Sequence, residues 1–181
     1  MSSLKRKILL VTNDLGPRAG GIESFVLGLL ERVEPNSVVI LTSKQKNSEP
    51  FDQELLKKYG AEVIRDRSKI LLPTPRTTRK AIKLLKKYHA TTVWFGAAAP
   101  LALMAKRLRK AGAANIVALT HGHEVWWAKV FPFNFLMRRI GSTVDSLTYL
   151  GEFTRNAISR SLSSNAQSAM VKIAPGIDVD H

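Results

Sequence analysis

The chain has 181 residues, and 28 Lys and Arg against 14 Asp and Glu give it a formal charge of +14 with neutral histidines. A hydrophobic fraction of 45% is sufficient for a packed core and excludes a wholly disordered chain. Because there is no cysteine, a disulfide framework, a cysteine-based zinc or iron–sulfur site and a thiol nucleophile are excluded. The positive charge suits an anionic partner. Composition alone does not distinguish between a nucleic acid, a membrane surface and a phosphorylated ligand.

Short apolar, β-branched runs alternate with helical periodicity along the whole chain, as in βα units on a parallel sheet. Most of the runs are apolar throughout, as expected for strands that helices cover on both faces. The predicted fold class is therefore α/β, a Rossmann-like doubly wound parallel sheet of about seven strands. The strands are predicted at residues 8–13, 38–42, 62–65, 92–95, 115–120, 146–150 and 171–174.

Helices are predicted between these strands, where apolar residues recur at a spacing of three and four. The polar stretch 43–50 predicts a loop, and the serine-rich stretch 159–168 predicts the end of a helix followed by a surface turn. The predicted helices cover residues 22–33, 53–59, 76–88, 101–108 and 153–158.

Two adjacent glycines, Gly20 and Gly21, lie where the first strand leads into the first helix. Without Cβ atoms they allow a ligand to approach the backbone, and the free N–H groups of a helix start attract phosphate. The spacing matches neither a dinucleotide fingerprint nor a P-loop. From these residues alone, a phosphate-binding site and a simple tight turn are equally supported.

A second cluster of polar residues follows the predicted strand 115–120, at an edge where open α/β sheets bind ligands. His121, His123 and Glu124 invite a functional interpretation. The His-x-His spacing also suits a metal, but the other histidines, His89 and His181, lie elsewhere, so no metal is predicted. A structural role, in which a histidine caps a strand or helix, stays open for His123 more than for His121.

Three motifs in order resemble the N-terminal half of a family 4 retaining glycosyltransferase of the GT-B fold. They are N-D-L-G-P-R-A-G-G-I-E at 13–23, T-H-G-H-E at 120–124 and A-P-G-I-D at 174–178. Within that family, the motifs are similar to those of phosphatidylinositol mannosyltransferases. The resemblance implies a Rossmann-like acceptor-binding domain over 1–174 and the start of an interdomain linker over 175–181, with the C-terminal donor domain absent and the isolated domain therefore inactive.

The resemblance also implies an activity, the transfer of a sugar from a nucleotide diphosphate sugar to a lipid-linked or polyol acceptor. In phosphatidylinositol mannosyltransferases the sugar is mannose and the donor is GDP-mannose. His121 would be the catalytic residue beside the transferred sugar, and Gly20 and Gly21 would donate backbone N–H groups to the donor diphosphate. No metal or other cofactor is implied, because the helix terminus and basic side chains would neutralise the diphosphate. The implied acceptor-binding residues are Asn13, Asp14, Thr120, Glu124 and Arg155.

Basic residues form a stripe along the predicted helix 76–88, and a second cluster lies over 106–110. Neither stretch contains an acidic residue for i, i+4 pairing, although a solvated charged face is the ordinary explanation. Together with the resemblance, the stripe favours docking on an anionic membrane. The residues of the stripe are Arg76, Arg79, Lys80, Lys83 and Lys87. A group of aromatic residues suits either the membrane interface or the core: Trp126, Trp127, Phe131, Phe133 and Phe135.

The expected location is the cytoplasm, peripheral on the inner face of the membrane. The expected partners are a nucleotide sugar, the acceptor, an anionic membrane surface and the protein's own C-terminal domain, with no nucleic acid. Two alternatives remain, a basic nucleic-acid-binding module and a non-catalytic domain that binds phosphate or a nucleotide sugar. The first has no helix-turn-helix, RRM or KH signature to support it.

Overall fold

A computed structural model describes residues 8–18 and 20–173. It confirms the predicted Rossmann-like doubly wound sheet, since seven parallel strands pair in the order β3-β2-β1-β4-β5-β6-β7. The predicted linker, the motif at 174–178 and His181 lie outside the described residues. The strands are β1 Ile8–Val11, β2 Val38–Thr42, β3 Glu62–Arg65, β4 Thr92–Phe95, β5 Asn115–Ala118, β6 Ser146–Tyr149 and β7 Met170–Lys172.

The strand bounds agree closely with the sequence pattern. β2, β3 and β4 have the predicted bounds, and β1, β5 and β6 end one or two residues earlier than predicted. Thr12 still donates its N–H to the Leu41 carbonyl at 3.1 Å, but the chain then turns away into the glycine segment. The motif residues therefore lie in the loops that follow the strands, where they can face a ligand.

The helices that connect the strands cover the sheet on both faces. The predicted helices 22–33, 76–88 and 153–158 are confirmed with shifts of up to three residues, and the predicted helix at 101–108 is a 3₁₀ turn at Leu101–Met104 that continues into α4. The α-helices are α1 Gly21–Leu30, α2 Glu49–Tyr59, α3 Pro75–Lys87, α4 Ala105–Lys110, α5 Glu124–Lys129, α6 Phe133–Gly141, α7 Glu152–Ser159 and α8 Ser164–Ser168.

Three parts of the helix prediction were wrong or incomplete. α2 begins four residues before its predicted start, with Pro50 in its first turn, where the missing N–H costs nothing. The predicted turn over 159–168 contains α8, whose start is capped by the Ser163 hydroxyl, which accepts the Ala166 N–H. No helix was predicted for α5 and α6, because their exposed aromatic residues mask the helical spacing.

Alternate residues of each strand point to opposite layers, as the strand period of two requires. Ile8 and Leu10 pack against α1 and α2, whereas Leu9 and Val11 pack in the larger core formed with α3 to α8. In the described part of the chain, no helix is both long and apolar enough to cross a bilayer. The strand order reverses between β1 and β4, and the crevice at such a reversal, beside the carboxyl ends of the strands, is where open α/β sheets bind ligands.

Candidate active site at the carboxyl edge of the sheet

The two glycines of the first motif lie at the start of α1. Gly20 is the residue before the helix, with φ −170° and ψ 160°, and Gly21 is the first helical residue. Any residue adopts such an extended conformation, and a Cβ at either position would meet no atom within 4 Å. Neither the turn nor the internal packing of the described chain requires glycine here, so the open surface above both residues is accessible from outside.

The start of α1 already holds one negative group. Glu23 is buried, and its Oε2 accepts the Gly20 N–H at 3.3 Å. A carboxylate at this place is stabilised by the positive end of the helix dipole. The N–H groups of the first turn have no acceptor within the helix, so the same place can also stabilise a phosphate.

A cavity of about 960 Å³ lies beside this helix start and is called the polar cavity below. It brings Asn13 and Asp14, predicted for the acceptor, together with the glycines predicted for the diphosphate. Three cations that sequence analysis missed also line it: Arg18, Lys46 and Lys69. They follow β1, β2 and β3 respectively, and the adjacent pairing of these strands gathers the three cations at one edge.

Arg65, at the end of β3, holds the loops of the polar cavity together. Its guanidinium donates to the Gly16 carbonyl at 2.6 Å and to the Ser43 carbonyl at 3.1 Å, and it forms a two-point ion pair with Asp52 at 2.7 and 2.8 Å. Gln45 donates to the Leu15 carbonyl at 2.7 Å. The walls of the cavity are thus fixed by the fold before any ligand binds.

Asn13 and Asp14 differ in what they offer to a ligand. Asn13 donates to the Leu71 carbonyl at 3.0 Å and accepts the Leu71 N–H at 2.7 Å, so both ends of its amide hold the loop after β3. The Asp14 carboxylate makes no hydrogen bond to the residues that the structure describes, although its backbone N–H donates to Thr12 Oγ1 at 3.0 Å. Both acidic residues of this motif line the cavity, but Glu23 already accepts the Gly20 N–H, so Asp14 presents the carboxylate without a hydrogen bond among the described residues. Asn13 has a structural contact.

His121 lies on the other side of the start of α1 and lines a second cavity, of about 570 Å³, called the histidine cavity below. Its Nε2 is 2.7 Å from the Gly96 carbonyl, and its ring forms a T-shaped contact with Phe25 at 5.3 Å between centroids. Because a carbonyl only accepts, Nε2 carries the proton and Nδ1 is the nitrogen left for a further hydrogen bond. The Gly96 contact is a structural role, and it also fixes the orientation of the ring.

Glu124, the first residue of α5, supports the histidine loop from below. It is fully buried, and its Oε2 accepts the His121 backbone N–H at 3.0 Å. Its Oε1 lies 3.2 Å from Nε2 of the half-exposed His123 but forms no hydrogen bond within the described residues. Glu124 was predicted to bind the acceptor, but its contacts match a role in orienting His121.

Two other predicted acceptor residues lie away from both cavities. Thr120 is fully buried, and its hydroxyl donates to the Thr148 carbonyl, which ties β5 to β6. Arg155 is on α7, 3.4 Å from Glu152 and above the Tyr149 ring. Neither residue lines the polar cavity or the histidine cavity, whereas Gly21 lines both.

The predicted basic stripe is largely exposed on α3, but Lys80 is an exception. Its Nζ is 3.0 Å from Oδ2 of the buried Asp66 and donates to the Arg65 carbonyl at 3.1 Å. Burial opposes the charge of Asp66, but the Ser68 N–H and the Lys80 ammonium outweigh it and lower its pKa to about 2. Lys80 is thus neutralised within the fold, while Arg76, Arg79, Lys83 and Lys87 remain exposed.

No protein-family model matches the sequence. The chain is 38% identical over 177 residues to the GDP-mannose-dependent monoacylated alpha-(1-6)-phosphatidylinositol monomannoside mannosyltransferase of Corynebacterium glutamicum. The match covers 98% of the chain and 45% of that relative. The chain is 37% identical over 174 residues to the GDP-mannose-dependent alpha-(1-6)-phosphatidylinositol monomannoside mannosyltransferase of Mycolicibacterium smegmatis, covering 96% of the chain and 45% of the relative.

Among solved structures, HepE of Anabaena in complex with UDP and glucose superposes with a TM-score of 0.69 at 11% identity, over 96% of this chain and 45% of that one. At this identity the likeness shows the fold alone. The chain spans about half the length of the curated relatives it matches. In sequence and in fold, the chain thus matches the N-terminal domain of family 4 glycosyltransferases of the GT-B fold.

Proposed function

We propose that this domain binds the acceptor in a retaining mannosyltransferase that transfers mannose from GDP-mannose to a phosphatidylinositol-type lipid. The observation that carries the proposal is the position of Gly21, which lines both cavities at the start of α1. A diphosphate seated there would have the acidic and basic groups of the polar cavity on one side and His121 on the other. The names of the two relatives supply the donor and the class of acceptor.

The glycines would receive the donor diphosphate. Since Cβ atoms at Gly20 and Gly21 would meet nothing in the described chain, the bare backbone is open to a large anion. The helix N-terminus would stabilise the negative charge that grows on the departing nucleotide diphosphate. In this proposal no metal is needed, because the helix start and the cations of the polar cavity supply the positive potential.

His121 would hydrogen-bond to the transferred sugar. Its ring is held by Gly96 and Phe25, so Nδ1 has a defined direction and accepts from a sugar hydroxyl without reorganising. Such a preorganised contact contributes to catalysis where it strengthens in the transition state. A covalent role is not part of the proposal.

The polar cavity would bind the acceptor head group. The Asp14 carboxylate is suited to accept hydrogen bonds from the hydroxyls of a polyol, and Arg18, Lys46 and Lys69 are suited to a phosphodiester. The exposed cations of α3 would hold the domain on the cytoplasmic face of an anionic membrane, where such a lipid presents its head group.

The test is mannose transfer by the full-length protein from GDP-mannose to phosphatidylinositol monomannoside. His121→Asn is compared with His89→Asn, a matched change at an exposed histidine with φ 51°, a conformation that asparagine tolerates. We expect His121→Asn to lower kcat/KM by about 100-fold and His89→Asn to leave it unchanged. Equal rates in both variants would remove His121 from the mechanism, and transfer only from another nucleotide sugar would overturn the donor assignment.

A further inference from the structure

A third cavity, of about 450 Å³, opens between the start of α3, α4 and α6, and is called the basic groove below. It lies on the sheet face opposite α1 and shares no lining residue with the polar or the histidine cavity. Met104 is buried at its base, and Leu103 and Leu136 are half-buried. Four exposed cations line it: Lys106, Arg107, Lys110 and Arg139.

The charge of the basic groove is not balanced by the fold. None of its lining residues is acidic, and none of the four cations forms an ion pair with the residues that the structure describes. Arg109, on the same helix, is different, because its guanidinium is 2.6 Å from Asp145 and donates to the Ala114 carbonyl. Four like charges around one concavity repel each other and attract an anion.

Exposed apolar side chains accompany these cations. Phe135 is 65% exposed and lies one helical turn before Arg139, so the two share a face of α6. Leu72 is 51% exposed and directly precedes Pro73 of the groove. Apolar side chains beside cations are typical of surfaces that sit at a lipid–water boundary. A nucleic acid or a soluble anion would use the cations but would leave Phe135 and Leu72 without an apolar environment.

We propose that the basic groove binds the phosphate of an anionic membrane phospholipid. Lys106, Arg107, Lys110 and Arg139 contact the phosphate, and Phe135 and Leu72 enter the lipid boundary. This inference rests on the membrane docking in the proposed function and deepens it, because it moves the principal contact from the stripe on α3 to the groove between α4 and α6. The acceptor lipid binds elsewhere, in the polar cavity.

The test measures sedimentation of the full-length protein with vesicles of phosphatidylcholine alone or mixed with phosphatidylglycerol. The groove variant is Arg107→Gln/Arg139→Gln, and the charge-matched control is Lys57→Gln/Arg160→Gln, at two exposed cations outside the groove. At about 1 kcal/mol per charge, binding of the groove variant to the anionic vesicles falls by about 25-fold, and the control stays close to wild type. Circular dichroism confirms that each variant is folded.

Further variants separate the possible failures. Lys83→Gln/Lys87→Gln removes two charges from the α3 stripe; if it weakens binding while the groove variant matches the control, the inference is overturned and docking survives. If wild type binds both kinds of vesicle equally, the docking itself is overturned. Phe135→Ser weakens vesicle binding without changing its salt dependence. Duplex DNA that binds tightly and depends on Arg107 and Arg139 would instead make the groove a nucleic-acid site.

Discussion

The carboxylate of Glu124 accepts the backbone N–H of His121 at 3.0 Å from a fully buried position. The bond fixes the peptide before His121, while the Gly96 carbonyl fixes the ring. Glu124 is the first residue of α5, so the positive end of the helix dipole stabilises its negative charge. Glu124 is thus a positioning residue for the histidine rather than a group that faces a cavity.

This relationship predicts a difference between two substitutions of Glu124. Glu124→Gln keeps an oxygen that accepts the His121 N–H, whereas Glu124→Ala removes it. We expect the Ala variant to lower kcat/KM for mannose transfer by about tenfold, the loss of one good hydrogen bond, and the Gln variant to recover most of it. Urea unfolding of both variants controls for global stability. If Gln were as damaging as Ala, the charge of Glu124 and not its position as an acceptor would matter.

The sheet could be predicted because each strand carries apolar or β-branched residues within a short run. β2, β3 and β4 match their predicted bounds for this reason. The helices α5 and α6 could not be predicted, because Trp126, Phe131 and Phe135 are exposed and Pro132 interrupts the pattern between the two helices. Helical periodicity detects a buried face, and these helices carry apolar residues on their outer face as well.

The motifs located the site, but side-chain roles within it depend on contacts between distant parts of the chain. The Asn13 amide is hydrogen-bonded to Leu71, 58 residues away, and the Thr120 hydroxyl donates to the Thr148 carbonyl. These two polar groups of the motifs are therefore used inside the fold. Arg18 and Lys69 line the same cavity because β1, β2 and β3, which they follow, are adjacent in the sheet. The usable signal for such residues is a cation shortly after the end of a predicted parallel strand.

Gly21 offers a test in which binding and stability separate. A side chain here meets nothing within 4 Å, so Gly21→Val leaves the free energy of unfolding nearly unchanged. It covers the open backbone, and we expect the affinity of the full-length protein for GDP, measured by calorimetry, to fall at least tenfold, or about 1.4 kcal/mol. The control is Gly151→Ala, at the equally open residue before α7. Unchanged affinity for GDP in the Gly21 variant would remove Gly21 from the donor site.

Asp66 predicts an acid-dependent loss of stability. Its folded-state pKa of about 2 is below the ordinary 3.8, so its charge stabilises the fold above pH 4, and this contribution is lost as the pH falls from about 4 to 2. Asp66→Asn should therefore cost on the order of 2 kcal/mol at neutral pH and flatten the dependence of unfolding on acid. The control Glu152→Gln changes an exposed pair and should cost under about 1 kcal/mol. A steep acid dependence that persists in Asp66→Asn would point to another carboxylate.

Glu23 occupies the start of α1, the place proposed for the donor diphosphate, with its carboxylate 3.3 Å from the Gly20 nitrogen. A diphosphate seated there meets this negative charge and competes with it for the same N–H group. Glu23→Gln keeps an oxygen that accepts the Gly20 N–H and removes the negative charge. A charge at a helix terminus contributes about 0.3–1 kcal/mol, so we expect the affinity for GDP to rise about two- to fivefold. The rise should shrink at high salt, because screening weakens the repulsion. Weaker binding by the Gln variant would mean that the carboxylate itself contacts the ligand, as it would if it accepted a hydrogen bond from the sugar or the nucleoside.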